Sequence, residues 1–425
     1  MEAPKVGVMV FAITTRVDIA KKIAAVSIDA LKKAFTPVIV GDIISDSNQA
    51  QRLSETFNEK KLDATIIIAS TVGTAVQMLV AAKTLKTPIL IWVPYPEEHA
   101  LPTVLQVLDS LRNVGIQYKF IYGDPESDET IREIARFVKV ASTIRRLRGS
   151  RIGQIGYKRP ELICAVFDDR ELFMNFGIET IQIDMMDILS IYRNIPKASV
   201  TSLTSKLLKS VSDLIDATIE DLERAVKLYL AVKELVKKYD LDSVAINGYP
   251  KFDNINTSAA LACAMLTDEG IMSNYEGDVI SAVTMLILHF LTGKPVFLAE
   301  PYKIDKKKGT IFFFHRSAPM SLASDAMSIK LFRPTILMNV PLKMNEVTIA
   351  RLHGKDLKLH VSVGKAVQLI DHESKAMSEI EVKLRVNANT FIENAIGNHY
   401  SIVPGNYLEE LRIFCDLIKA DIIIT

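Results

Sequence analysis

Five apolar runs near the start of the chain constrain its fold more than any other feature. Val6 to Phe11, Pro37 to Val40, Ala64 to Ala69, Pro88 to Trp92 and Tyr118 to Tyr122 are almost wholly apolar. A strand with one wet face alternates in polarity, so unbroken runs indicate strands covered on both faces, as in a parallel sheet. Amphipathic stretches such as Val17 to Phe35 and Leu101 to Val114 lie between them. Strand and helix repeated in this order predict a parallel sheet with helices on both sides. No Gly-x-Gly-x-x-Gly follows any of these strands, so the dinucleotide-binding fingerprint is absent.

Asp128 to Arg148 has the pattern of a helix, and its basic end, Arg145-Arg146-Leu147-Arg148, complements the negative end of a helix dipole. Gly149 and Gly153 mark a junction, giving a first α/β domain over 1–150. The alternation then resumes with IGQIGY from Ile152, a helix from Glu171 to Phe176, a strand from Glu179 to Ile183 and a helix from Ile219 to Tyr239. A strand from Ser243 to Asn247, a polar loop from Asn247 to Asn256 and a small-residue helix from Thr257 follow. These predict a second α/β domain over 151–320, whose sheet includes the stretch from Thr267 to Pro319. Beyond it, Thr335 to Val340, Val347 to Leu352, Leu357 to Val363, Glu381 to Val386 and Phe391 to Ala395 are short strand-like runs. Several alternate with period two, so residues 321–425 are expected to form a small β-rich, barrel-like domain with a loop carrying His399 and a terminal helix. The fold class is two Rossmann-like α/β domains with parallel sheets, followed by this domain.

Composition narrows the function. Fifty-one basic residues balance 50 acidic ones, a formal net charge of +1, which gives no basic footprint for nucleic acid or an anionic membrane. Cys164, Cys263 and Cys415 lie far apart in apolar runs and read as core residues of a reducing compartment. The apolar stretch from Val279 to Leu291 is shorter than the roughly 20 residues a membrane span needs. Met1 to Pro4 leads directly into KVGVMVF without a small-residue cleavage site, so a cytoplasmic location is expected.

The chemistry concentrates between Thr267 and Pro319. Glu276 stands at the mouth of the very apolar helix, Glu300 ends a short strand after the Gly293-Lys294-Pro295 turn, and His315 ends a further apolar run. His399 lies in a loop much later in the chain. Two carboxylates and one or two imidazoles suit a divalent metal of intermediate hardness, such as Mn²⁺, Co²⁺ or Fe²⁺, where thiolates would point to zinc. Carboxylates beside a metal also supply acid and base groups. Each residue equally has a plain reading: Glu276 as a helix-start charge, Glu300 as a solvated charge, His315 as a core histidine and His399 as a surface or capping residue. Spacing alone leaves both readings open.

The segment DEGIMSNYEGDVISAVTMLILHFLTGKPVFLAEPYKID, with the later FFFHRSAPMSLA, resembles the central motif of the L-fucose and L-arabinose isomerase superfamily. VTIARL from Val347 with Gly354, Asn398-His399-Tyr400 with Pro404-Gly405-Asn406, and GQIGYKRP from Gly153 add to the likeness, which is strongest from about Ile152 onward. The resemblance implies a metal-dependent aldose–ketose isomerase that works through a cis-enediolate. Glu276 and Glu300 would be metal ligands and the acid/base pair, and His399 a ligand to Mn²⁺. His315 matches a further ligand position of arabinose isomerases. It also implies a small-molecule sugar as substrate and a homo-oligomer, a trimer or hexamer. Tyr275 and Arg316 depart from the family pattern, in which Cys precedes the first acid and His-Cys-Gly stands at the later histidine. Those departures leave open a sugar-binding or regulatory protein on the same scaffold, and a related metal-dependent epimerase or lyase using the same enediolate is a further alternative.

Overall fold

The five apolar runs become five parallel strands in the order Val38–Ile44, Val6–Phe11, Ala64–Ala69, Ile89–Pro94 and Tyr118–Gly123. The computed structural model describes residues 3–95, 100–209, 211–248, 252, 255–323, 327–332, 335–367 and 377–425. Contacts divide the chain into Met1–Arg145 with Glu409–Ala420, and Arg146–Leu408 with Asp421–Thr425.

In the first unit the inner strands are buried along their whole length, and successive residues feed two cores. Met9, Phe11, Ile67 and Ile91 pack on one face, while Val6, Val8, Val10, Ile66, Ile68 and Trp92 pack on the other. This explains the unbroken apolar runs, since neither face meets water. Val38–Ile44 is one of the two edge strands and is half-exposed around Gly41 and Asp42. Ile413 and Leu417 of the Leu408–Ile418 helix join Ile134, Phe137 and Val138 of the Asp128–Leu147 helix over the second core.

The second unit holds a four-stranded parallel sheet, ordered Met272–Asn274, Ser243–Ile246, Arg151–Ile155 and Glu179–Ile183. The Ile219–Tyr239 helix begins with a reciprocal cap, in which Thr218 Oγ1 accepts from Asp221 N and Asp221 Oδ2 accepts from Thr218 N. Of the polar loop expected over 247–256, residues 249–251 and 253–254 lie outside the described residues.

Six antiparallel strands close into a barrel: Glu346–Leu352, Tyr400–Pro404, Phe297–Asp305, Thr310–His315, Ser378–Leu384 and Lys358–Val367, the last pairing back to the first. Asp421–Ile424 adds parallel to the first half of Lys358–Val367. Four expected strands depart from the sequence expectation. Thr335 to Val340, expected in the barrel-like domain, lies outside the barrel in a three-stranded sheet with Met327–Phe332 and Val211–Ile215. Phe297–Asp305 and Thr310–His315 pair within the barrel and not with the second parallel sheet. Phe391 to Ala395, expected as a strand, falls in the Ala388–Glu393 helix and its end, because Asn387 caps it through Asn389 N and Ala388 and Phe391 point into the core. Tyr400–Pro404, a strand the sequence pattern does not announce, takes its place in the barrel.

The Val279–Thr292 helix packs on both structures of this unit, touching Met272–Asn274 and Ser243–Ile246 of the sheet and Glu346–Leu352 and Tyr400–Pro404 of the barrel. A helix walled on every side has no wet face, so its sequence is apolar all round. It starts on Asp278, whose side chain accepts from Ser281 N, and stops at Gly293, whose φ of 70° suits glycine. His289 Nδ1 lies 2.9 Å from Lys294 O at that end, a structural contact.

Candidate metal centre

Glu276, His315 and His399 are delivered by element ends, whereas Glu300, expected to end a short strand, lies inside one that runs on to Asp305. Glu276 follows Met272–Asn274 and bridges to Asn247, three residues before the start of the Val279–Thr292 helix. Gly277 between them has φ 70°, and a Cβ there would meet Tyr157 O at 2.7 Å and Lys158 Cα at 2.8 Å. That close approach seats the 157–159 segment on Glu276, with Arg159 N donating to Glu276 O at 3.0 Å. Glu300 lies on Phe297–Asp305, His315 ends Thr310–His315, and His399 directly precedes Tyr400–Pro404.

Glu276, His315 and His399 come together: one ligand atom from each lies within 4.8 Å of the others, and all three residues are buried. Glu276 Oε2, His315 Nε2 and His399 Nε2 are buried without a hydrogen-bond partner among the described residues. His399 Nε2 stands 3.4 Å from Glu276 Oε2 and 3.3 Å from Glu300 Oε1, without hydrogen-bond geometry to either. Orphaned buried polar atoms facing one another are costly unless something meets them. A carboxylate oxygen and two imidazole nitrogens, with a second carboxylate adjacent, are a donor set that fits a divalent cation.

The other atoms of these side chains are held. Glu276 Oε1 lies 3.4 Å from Arg159 Nη1, and Asn398 Nδ2 donates to Glu300 Oε1. His315 Nδ1 sits 3.2 Å from Ser317 Oγ. His399 Nδ1 lies 2.9 Å from Asp278 Oδ2, and Asp278 also accepts from Ser281 N and Ser281 Oγ.

Electrostatics follows from this crowding. Burial acts to raise the Asp278 pKa, but the His399 hydrogen bond and the Arg351 charge prevail and hold it far below the usual carboxylate range. Burial also acts to raise Glu300, yet His399, His315 and Asn398 draw it down to about 2. Glu276 is lowered too, its burial outweighed by the two histidines. Burial pulls His315 down to about 4. For His399 burial acts downward, but Asp278, Glu276 and Glu300 raise it well above the ordinary value.

Sequence reading did not single out four residues that shape the centre. Asp278 shares its motif with Glu276, and Arg159 lies inside GQIGYKRP; their positions beside the first acid only become visible in the fold. Asn398 precedes His399. Arg351 is the one charged residue in the run from Val347 to Leu352, which is the one local signal it offers. Tyr275 is buried with its ring 5.1 Å from that of His315, and Arg316 is half-buried beside it.

No protein-family model matches the chain. Curated relatives include the sulfoquinovose isomerase of Alkalicoccus urumqiensis, 25% identical over 316 residues and covering 71% of each chain. That of Priestia megaterium is 22% identical over 422 residues, 94% of each chain, and that of Clostridium sp. (strain MSTE9) is 21% identical over 339 residues, 76% of this chain and 75% of the relative. Among solved structures, a periplasmic solute-binding protein of Actinobacillus succinogenes 130z with bound D-allose aligns at 13% identity over 68% of this chain and 92% of its own. Its TM-score of 0.18 carries no argument. The curated relatives support an isomerase, an intramolecular oxidoreductase, as the enzyme class. Among the described residues, no helix is long and apolar enough to cross a membrane.

Proposed function

We propose that the protein is a metal-dependent aldose–ketose isomerase acting on an open-chain sugar. The observation that carries this reading is the convergence of Glu276 Oε2, His315 Nε2 and His399 Nε2, three buried atoms without partners among the described residues, beside a second carboxylate at Glu300. Glu276, Glu300, His315 and His399 would hold a divalent ion, Mn²⁺ first and Co²⁺ or Fe²⁺ next by donor hardness. Such an ion supplies Lewis-acid polarisation of a carbonyl and stabilises a developing oxyanion.

The chain's own residues do the proton work. One of the two glutamates takes the proton from C2 of the aldose and returns it to C1, and the other moves the hydroxyl proton from O2 to O1. The electron pair freed at C2 forms the C1–C2 double bond of a cis-enediolate, and its return to C1 leaves a ketone at C2, so the change is internal and needs no redox cofactor. Two carboxylates held below their usual range, each beside His399 Nε2, stay ionised and able to accept a proton. Asp278 orients His399, and Arg159 orients Glu276. The relatives named for sulfoquinovose support placing a sulfonated aldose first among the substrates.

The test is a panel of aldoses, sulfoquinovose included, incubated with chelator-stripped protein before and after Mn²⁺ is restored. Ketose is expected only after restoration, and Glu276→Gln should lower turnover at least a thousandfold in a folded protein. Equal turnover by the stripped enzyme, or full activity of Glu276→Gln, would sink the assignment.

A further inference from the structure

Arg351 is fully buried, and its guanidinium reaches three segments that bear on the centre. Nε donates to Ile396 O at 3.2 Å, Nη1 to His399 O at 2.7 Å and Nη2 to Cys164 O at 3.2 Å. Nη1 also lies 3.3 Å from Ser281 Oγ and 3.6 Å from Asp278 Oδ2. A planar fork with fixed donor directions can hold several carbonyls in mutual register, which a lysine cannot.

The surrounding backbone is shaped to admit it. Gly397 has φ 155°, and a Cβ there would stand 2.1 Å from Arg351 Nε and 2.5 Å from its Cζ. Glycine therefore opens the space the guanidinium occupies. The two backbone segments gripped by Arg351 also touch each other, because Cys164 Sγ donates to Asn398 Oδ1 at 3.1 Å while Asn398 Nδ2 donates to Glu300.

We propose that Arg351 is the positioning residue of the centre, fastening the 396–399 loop and the 162–165 segment so that His399 and, through Asn398, Glu300 face Glu276. Arg351 touches none of the three orphaned donor atoms and acts through the residues that present them. The part concerning metal rests on the reading above, whereas the fastening of the two segments does not.

The experiment compares the wild-type protein with Arg351→Lys, which keeps the charge and loses the fork. Hydrogen exchange of the metal-free proteins is followed in peptides spanning 394–400 and 161–165, and Mn²⁺ affinity is measured by calorimetry. Exchange is expected to rise tenfold or more in both segments with the barrel strands unchanged, and Mn²⁺ affinity to fall at least tenfold. Protection retained in either segment overturns the proposal, as does unaltered Mn²⁺ affinity in a loosened variant. If wild-type protein binds no Mn²⁺, the metal reading fails, and exchange alone still decides whether Arg351 fastens the segments. Gly397→Ala, which crowds the guanidinium while keeping Arg351, carries the same expectations should Arg351→Lys fail to fold.

Discussion

The His399 ring and the Asp278 carboxylate are hydrogen-bonded at 2.9 Å with both residues fully buried. An ionised carboxylate only accepts, so Nδ1 carries the hydrogen of this contact and Nε2 is turned toward Glu276 and Glu300. Asp278 is itself fixed by Ser281 and by the start of the Val279–Thr292 helix. The most apolar helix of the chain thus sets the orientation of a residue that arrives from the barrel.

Asp278→Asn should weaken Mn²⁺ binding by roughly 10–100-fold, the usual cost of losing the partner that orients a histidine ligand. An asparagine can present its amide to Nδ1 and turn the ring or change its tautomer. Calorimetric titration of stripped protein measures this, and an unchanged affinity would remove the orienting role.

Gly277→Ala should lower stability by about 1–3 kcal/mol, the range for a residue forced into a sparsely populated backbone region. The φ of 70° and the 2.7 Å approach to Tyr157 O both oppose a methyl group. The displaced 157–159 segment also withdraws Arg159 from Glu276, so turnover should fall by more than the stability loss explains. Urea midpoints and steady-state rates on the same preparation separate the two effects.

Thr284→Val should cost about 1–3 kcal/mol because it strands a buried amide. Thr284 Oγ1 accepts from Leu352 N at 3.1 Å and donates to Ile280 O, tying the helix to a barrel strand. Valine fills the same volume, so packing is held nearly constant. A urea midpoint equal to that of the wild type would show that the link is dispensable.

Stability should fall as the pH drops from 6.5 toward 4, in part through His360. Burial lowers this histidine to about 4 from its ordinary 6.5, and its ring is bonded to Tyr400 Oη at 2.9 Å and Thr425 Oγ1 at 2.8 Å. The fold holds it neutral, while the unfolded chain takes up a proton below 6.5. Stability is therefore complete above that value and declines through the window, by up to about 3 kcal/mol at roughly 1.4 kcal/mol per unit. His360→Gln should be less stable than wild type at pH 7, with the gap narrowing by pH 4.5. Parallel urea curves at the two pH values, with a constant gap, would contradict this.

Local sequence determined the elements whose reasons are local. Val6 to Phe11 and Ala64 to Ala69 are strands because every side chain of an inner parallel strand is dry, and unbroken apolar runs record that condition. The Val279–Thr292 helix was legible from its apolar content and the Gly293 turn that stops it. Glu276, Glu300 and His315 read as metal-capable types at element ends and His399 as one in a loop, yet spacing gave no means of joining them. Only the tertiary structure decided that Phe297–Asp305 and Thr310–His315 pair with Tyr400–Pro404 and Ser378–Leu384, because strand partners far apart in sequence are chosen by barrel closure and shared burial. The same closure brings His399 to Glu276 and surrounds Arg351 with carbonyls from two segments. A buried arginine and a glycine at 397 have meaning only once the space between them exists, and that space belongs to no single stretch of the chain.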